Sequence, residues 1–225
     1  MPRRRAARNP PDHTATIAYA AIGTGVGLGL LGVLLSRNAE AATMPLSRST
    51  SLNALRTEYV AMFDAATIRP EHLASVDRVV DTLYSNKARY EAMAAETGVP
   101  WYMIAVLHSL EGGGSSGSFT RHLHNGDSLA ARTTHVPANR PAADPANGVA
   151  YSWEESARDA LRMRFTGWHD WSLAGTLWQL EKYNGWKTRT LHGIATPYLW
   201  SATDRYRIGK YVADGVWSPT TVSQQ

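Results

Sequence analysis

Between Ile17 and Leu35 the chain runs "IAYAAIGTGVGLGLLGVLL", nineteen residues without a charge. As a helix this stretch would measure about 28 Å, close to the roughly 30 Å hydrocarbon core of a bilayer. Five glycines, at 23, 25, 27, 29 and 32, dilute its hydrophobicity, and Gly25 and Gly29 form a small-xxx-small pair suited to helix packing. Residues 14–36 are therefore expected to be a transmembrane helix or signal-anchor. Two other readings stand beside it. Basic residues, an apolar run and then Ala39-Glu40-Ala41 resemble the three regions of a cleaved secretory signal, and a buried helix is the third possibility. Residues 37–51, small and mostly polar, read as a linker.

From Leu52 the apolar positions recur at helical spacing. "LNALRTEYVAMF" is followed by a helix that Pro70 opens, with Glu71 in its positive first turn. "KARYEAMAAET" ends at Gly98, and Pro100 opens the segment that leads to Glu111. Residues 112–150 hold much of the glycine, asparagine, histidine and proline and little periodicity, which predicts a long loop region of the kind that usually carries function. A helix resumes at Ser152, where Glu155 three positions on completes a capping box. Another runs through "SLAGTLWQLEKY" and stops at Asn184-Gly185, and a last one is expected near "ATDRYRIGKYV". Asn125-Gly126 between short alternating segments predicts a β-hairpin. The expected fold is α+β and mainly α-helical, one domain over residues 52–225 with a small hairpin, behind the single N-terminal span.

Charge sharpens the orientation. The formal net charge of +4 is concentrated at the front, where Arg3, Arg4, Arg5 and Arg8 face only Asp12 within residues 1–13. Arginines before an apolar span stay on the cytoplasmic side, so the domain is expected outside the membrane. The remaining chain is nearly balanced, which argues against a nucleic-acid partner, since that would need a basic stripe on the folded part. No cysteine is present, so neither a disulfide framework nor a thiolate metal site supports the fold. All eight tryptophans lie at or beyond position 101. Most are expected in the core, with some free to stack on sugar rings.

Candidate chemistry centres on "LHSLEGGG". Ile104, Leu107 and Leu110 share an apolar helix face with Glu111, so its carboxyl is expected against the core. Burial and the negative end of the helix dipole both favour its protonated form, as a general acid requires. The glycines after it would turn the chain and leave a substrate room to approach. A solvated glutamate at a frayed helix end is the plain alternative. Asp127 follows the Asn-Gly turn and Thr133 lies six residues further on, giving a second carboxylate and a hydroxyl that could position water. That inventory suits glycoside hydrolysis.

The order Glu111, Asp127, Thr133 resembles the catalytic triad of phage-type lysozymes, although the offset of sixteen positions between the two acids exceeds the spacing of that group. "EGGGSSGSF" is similar to the glutamate-serine neighbourhood of soluble lytic transglycosylases and goose-type lysozymes, with the serine displaced to Ser115 or Ser116. "EKYNGWKTR" resembles their Tyr-Asn-x-Gly motif, with Gly185 directly after the asparagine. Residues 80–217, including "HLHNGD", "HVPANRP" and "TPYLWS", look most like phage and bacterial peptidoglycan-degrading proteins of the lysozyme-like superfamily. The resemblance implies a muramidase acting between N-acetylmuramic acid and N-acetylglucosamine. Glu111, Asp127 and Thr133 would be catalytic, and Tyr183, Asn184, His124 and Ser116 would bind substrate. No metal or organic cofactor is implied. The expected partners are glycan strands and, through the N-terminal helix, membrane lipid; the catalytic domain is expected to be monomeric. Its location would be the periplasmic face of a host inner membrane, as for an endolysin, or a virion.

Three rivals remain open. A lytic transglycosylase would use Glu111 alone. His108, His122, His124 and His135 with Asp127 could serve a zinc-dependent wall peptidase, although no His-Glu-x-x-His is present. A wall-binding or virion protein without catalysis would leave the glycine-flanked acid incidental.

Overall fold

The computed structural model describes residues 46–213 and 215–223. The expected membrane span at 14–36, the basic N-terminus and most of the linker lie outside them. No helix among the described residues is long and apolar enough to cross a membrane.

The described chain is mainly helical with one small antiparallel sheet. Helix α1 (Leu52–Ala65) and a 3₁₀ turn at Pro70–His72 lead into α2 (Leu73–Ser85) and α3 (Lys87–Thr97). Gly98, at φ 73°, closes α3 with its N–H on the Ala94 carbonyl, a conformation that glycine adopts without a Cβ clash. Pro100 caps α4 (Trp101–Glu111), in which Tyr102, Met103, Ile104, Ala105, Leu107 and His108 are all buried. A helix apolar on most of its circumference belongs inside, and α4 is the central rod of the domain.

After the long loop, α5 (Trp153–Phe165) starts on the predicted capping box: the Glu155 N–H donates to Ser152 Oγ and the Ser152 N–H to Glu155 Oε2. Helix α6 (Leu173–Asn184) begins at Ser172 and ends at Gly185, and the short helices α7 (Lys187–His192) and α8 (Pro197–Trp200) follow.

Two details depart from the sequence reading. The segment around Asn125-Gly126 forms a turn closed by one isolated antiparallel bridge, Arg121 to Ser128, and no strands extend from it. The sheet lies instead where a last helix was expected, pairing β1 (Lys210–Ala213) with β2 (Val216–Ser218). Gly209 at φ 100° breaks helical continuity there, and its Cα sits so close to Trp217 that an added Cβ would fall 2.7 Å from the indole.

Two apolar cores flank α4 and α6. One gathers Tyr90, Met103, Ile104, Leu107, Trp153 and Leu161; the other gathers Leu55, Tyr59, Leu177, Trp200 and Tyr206. The second is pinned by a buried charge network. Arg189 donates to both Glu181 oxygens at 2.8 and 2.9 Å and also reaches Glu58 and the Ser47 carbonyl, while the Tyr59 hydroxyl donates to Glu181. Glu181 has no exposed surface, so α1, α6 and α7 are tied together by a charge pair that water does not screen.

Candidate active site around Glu111

The three glycines after Glu111 have two different jobs. A Cβ on Gly112 or on Gly114 would stand 2.7 Å from the His108 ring, so both are small because the chain folds back over that imidazole. His108 is fully buried among Tyr90, Phe119 and Trp153, with Nδ1 2.9 Å from the Tyr90 hydroxyl, and burial lowers its pKa to about 4. Gly113 alone fits the expectation of an open approach: it turns at φ 80° and a Cβ there would meet nothing within 4 Å.

Glu111 ends α4 partly buried. Its Oε1 accepts a 2.7 Å hydrogen bond from the hydroxyl of Tyr198 on α8. Burial raises its pKa, and the opposing pulls of the Tyr198 hydroxyl and the Arg164 charge are weaker. The carbonyl end of α4 disfavours the anion as well. Tyr198 itself is held well above the ordinary phenol value, by burial first and then by the Glu111 charge, and so remains a donor. Tyr183 is raised by the same two causes, and the Arg164 guanidinium lies 4.8 Å from its ring centroid. Glu111, Tyr198, Tyr183 and Arg164 thus form one electrostatic unit at the meeting of α4, α5, α6 and α8.

The Asn-Gly turn is brought against this unit. Gly126, at φ 79°, is so near the helix end that a Cβ would lie 2.5 Å from the Glu111 carbonyl oxygen. Asp127 follows the residue that meets the end of α4, and its carboxylate is occupied. Oδ2 accepts from the backbone N–H groups of Thr134 and His135 at 2.8 and 3.0 Å, with longer contacts from the Thr134 hydroxyl and Asn125. Oδ1 accepts from His135 Nδ1 at 2.7 Å. These bonds to His135 and Thr134 outweigh desolvation and hold the Asp127 carboxyl well below its ordinary value. Thr133 is buried; its hydroxyl donates to the Pro137 carbonyl and accepts from the Arg140 N–H, which leaves it no proton for a water. Both residues organise the loop, and the exposed member of the group is His135, with 81% of its side chain accessible and Nε2 free to face solvent.

The expected substrate residues hold the site from behind. The Tyr183 hydroxyl donates to the carbonyls of Leu123 and His124, each at 3.3 Å, fixing the turn against α6. Asn184 donates to Thr196 Oγ1 at 3.0 Å, and the same oxygen caps α8 by accepting from the Tyr198 N–H. The Tyr-Asn pair therefore positions Tyr198 and the loop. His124 is buried, with Nε2 donating to Asp159 at 2.8 Å and Nδ1 3.3 Å from Ser156 Oγ. This Asp-His-Ser arrangement is sealed in the interior, since Ser156 is fully buried and also receives the Leu123 N–H. Ser116 is exposed and bonds locally to the Gly113 carbonyl.

Sequence reasoning missed Tyr198, Arg164 and the pairing of His135 with Asp127. Tyr198 had a signal: Thr196-Pro197 is a cap followed by proline at the first helical position. Of the histidines of the zinc alternative, His122 and His124 meet at Ser156 with their rings 5.8 Å apart, and His135 is paired with Asp127. His108 is enclosed by aromatics, His122 is bonded to Ser156 and the Ala131 carbonyl, and no group of three or more potential metal ligands occurs among the described residues. Comparison with protein-family models, with curated proteins and with solved structures finds no match for this chain.

Proposed function

We propose that the protein cleaves the glycan strand of peptidoglycan between N-acetylmuramic acid and N-acetylglucosamine, with Glu111 as the acid. The observation that carries this reading is the state of the carboxyl itself: partly buried at a helix end, raised in pKa and held by Tyr198. A carboxylic acid that keeps its proton above the ordinary carboxylate range can give it to the bridging oxygen as the bond to the sugar C1 breaks.

The arrangement favours a single-acid course over a two-carboxylate hydrolysis. Asp127, saturated by donors, is a poor base, and Thr133 has no hydroxyl proton to spare. In the single-acid course, the Glu111 carboxylate left after the first step takes the proton of the muramyl C6 hydroxyl, whose oxygen then bonds to C1 and closes an anhydro ring. This is lytic transglycosylase chemistry. One observation favours a second reading, hydrolysis: His135 presents a free Nε2 while Asp127 holds its other nitrogen, a pair that could draw a proton from water.

The apolar run at 17–35 and the arginines before it support an enzyme tethered at the outer face of a bacterial inner membrane, within reach of the wall, as in an endolysin; a virion-borne role in wall entry is the other setting. Release of soluble muropeptides from purified peptidoglycan by wild type and Glu111→Gln proteins tests the assignment. Equal release by the two would remove Glu111 from the chemistry.

A further inference from the structure

We propose that the face built by the C-terminal hairpin and its flanking loops docks on the surface of a phospholipid bilayer. Nine large hydrophobic side chains are exposed among the described residues, and five of them fall here: Leu191 (61%), Ile208 (42%), Val212 (50%), Val216 (53%) and Val222 (45%). Such clustering separates them from the scattered exposed apolar residues that any surface carries.

The hairpin explains the clustering. Tyr211 pairs with Trp217 across the strands, and both turn inward onto His192, whose ring stacks on the indole at 3.7 Å and 7°. Val212 sits at the bulge where the register shifts between Tyr211 and Ala213, and both it and Val216 are exposed. At the open end of the hairpin the 3.0 Å bond from the Gly209 N–H to the Thr221 carbonyl joins the segments that carry Ile208 and Val222.

The chemistry of the face selects the occupant. Val212, Val216 and Ile208 offer neither hydrogen bonds nor a stacking plane to a sugar, and the Trp217 ring is already covered by His192. Aliphatic side chains edged by Tyr211 and Trp217, with exposed Arg207 and partly exposed Lys210 alongside, match the boundary between lipid headgroups and acyl chains. Asp204 is paired with Arg205, and the sequence has one further acid, Asp214, between the two strands.

The point where the chain enters the domain supports the same partner. Arg48 donates to the carbonyls of Thr190 and Leu191 at 3.0 and 3.4 Å, so residues 1–45 join the domain next to Leu191. Ten residues lie between Leu35, the end of the apolar run, and Leu46, a span of at most about 40 Å when fully extended. With residues 17–35 in a bilayer, that tether keeps this face within reach of the lipid. The inference rests on the membrane reading of that run and is independent of the glycan chemistry.

The cysteine-free chain allows a test on the full-length protein. Single cysteines at Val212 or Val216, and for comparison at Val136 (88% exposed) or Val149 (80% exposed), are labelled with an environment-sensitive fluorophore. Each protein is reconstituted into phosphatidylethanolamine–phosphatidylglycerol vesicles carrying nitroxide-labelled phosphatidylcholine. Docking gives a blue shift and loss of emission to the nitroxide lipid at 212 and 216, with water-like, unquenched emission at 136 and 149. Unquenched labels at 212 and 216 on protein that floats with the vesicles overturn the docking face alone. A blue shift without quenching does so too, because the face is then covered by protein, either residues 17–35 or a second copy. Protein that fails to float overturns the membrane reading of residues 17–35 and the docking face with it.

Discussion

The hydroxyl of Tyr198 donates a 2.7 Å hydrogen bond to Glu111 Oε1 across 87 residues of sequence. That bond stabilises the ionised carboxylate and partly offsets the rise that burial causes. Tyr198→Phe removes the donor and keeps the ring, so the Glu111 pKa should climb further. The alkaline limb of the kcat/KM profile for peptidoglycan is expected to move to higher pH. A profile that stays in place would separate Tyr198 from the titrating group.

Stability carries the same signature. Burial raises the Glu111 pKa above its ordinary 4.5, so the folded chain holds this proton more tightly than the unfolded chain does. The resulting stabilisation is fully present below the ordinary carboxylate value and is lost as pH rises through the raised one. Glu111→Gln should therefore melt higher than wild type at neutral pH, and the difference should close below about pH 4. Thermal unfolding across pH measures this while activity is abolished.

The turn beside the acid can be moved without touching a titratable group. Gly126→Ala forces a Cβ onto the Glu111 carbonyl at φ 79°, where a side chain costs about 1–3 kcal/mol even in open space. The expected outcome is a lower melting temperature together with loss of turnover, because the turn must leave the end of α4. Gly113→Ala, also at positive φ but with no atom nearby, should lose stability and keep more of its activity.

His135→Gln separates the two courses of cleavage. Under the single-acid course it retains most of the wild type rate, whereas a hydrolysis that depends on the Asp127–His135 pair would fall by about 100-fold or more. Initial rates of muropeptide release decide between them.

Arg189→Met leaves Glu181 buried without its partner and should destabilise the fold by about 3–5 kcal/mol. Denaturant unfolding monitored by tryptophan fluorescence measures it.

What the sequence made legible follows from where local chemistry decides structure. The Ser152–Glu155 capping box, the stop at Gly98 and the helix ending on Glu111 were readable because caps and glycines act within a few residues. The contact of Gly126 with the Glu111 carbonyl was hinted at only as a shared site, since it is made in three dimensions. Tyr198 went unassigned because its hydroxyl meets Glu111 through the packing of α8 on the core, which no spacing encodes. For Asp127 and Thr133, a motif does not show that the surrounding loop already uses their hydrogen-bonding capacity. The hairpin was expected at Asn125-Gly126 since that dipeptide favours a turn, yet the flanking segments form only one bridge. Strand pairing instead went to the segment where Tyr211 and Trp217 meet edge to face across the sheet.

The central claim is that Glu111 alone moves the protons in glycan cleavage. Mass spectrometry of purified peptidoglycan digested by wild type and Glu111→Gln proteins tests it most directly. The expected products are fragments ending in 1,6-anhydro-N-acetylmuramic acid from the wild type and no soluble fragments from the variant. Reducing muramyl ends from the wild type would contradict the single-acid course, and intact glycan with cleaved peptide cross-links would contradict the glycosidase altogether.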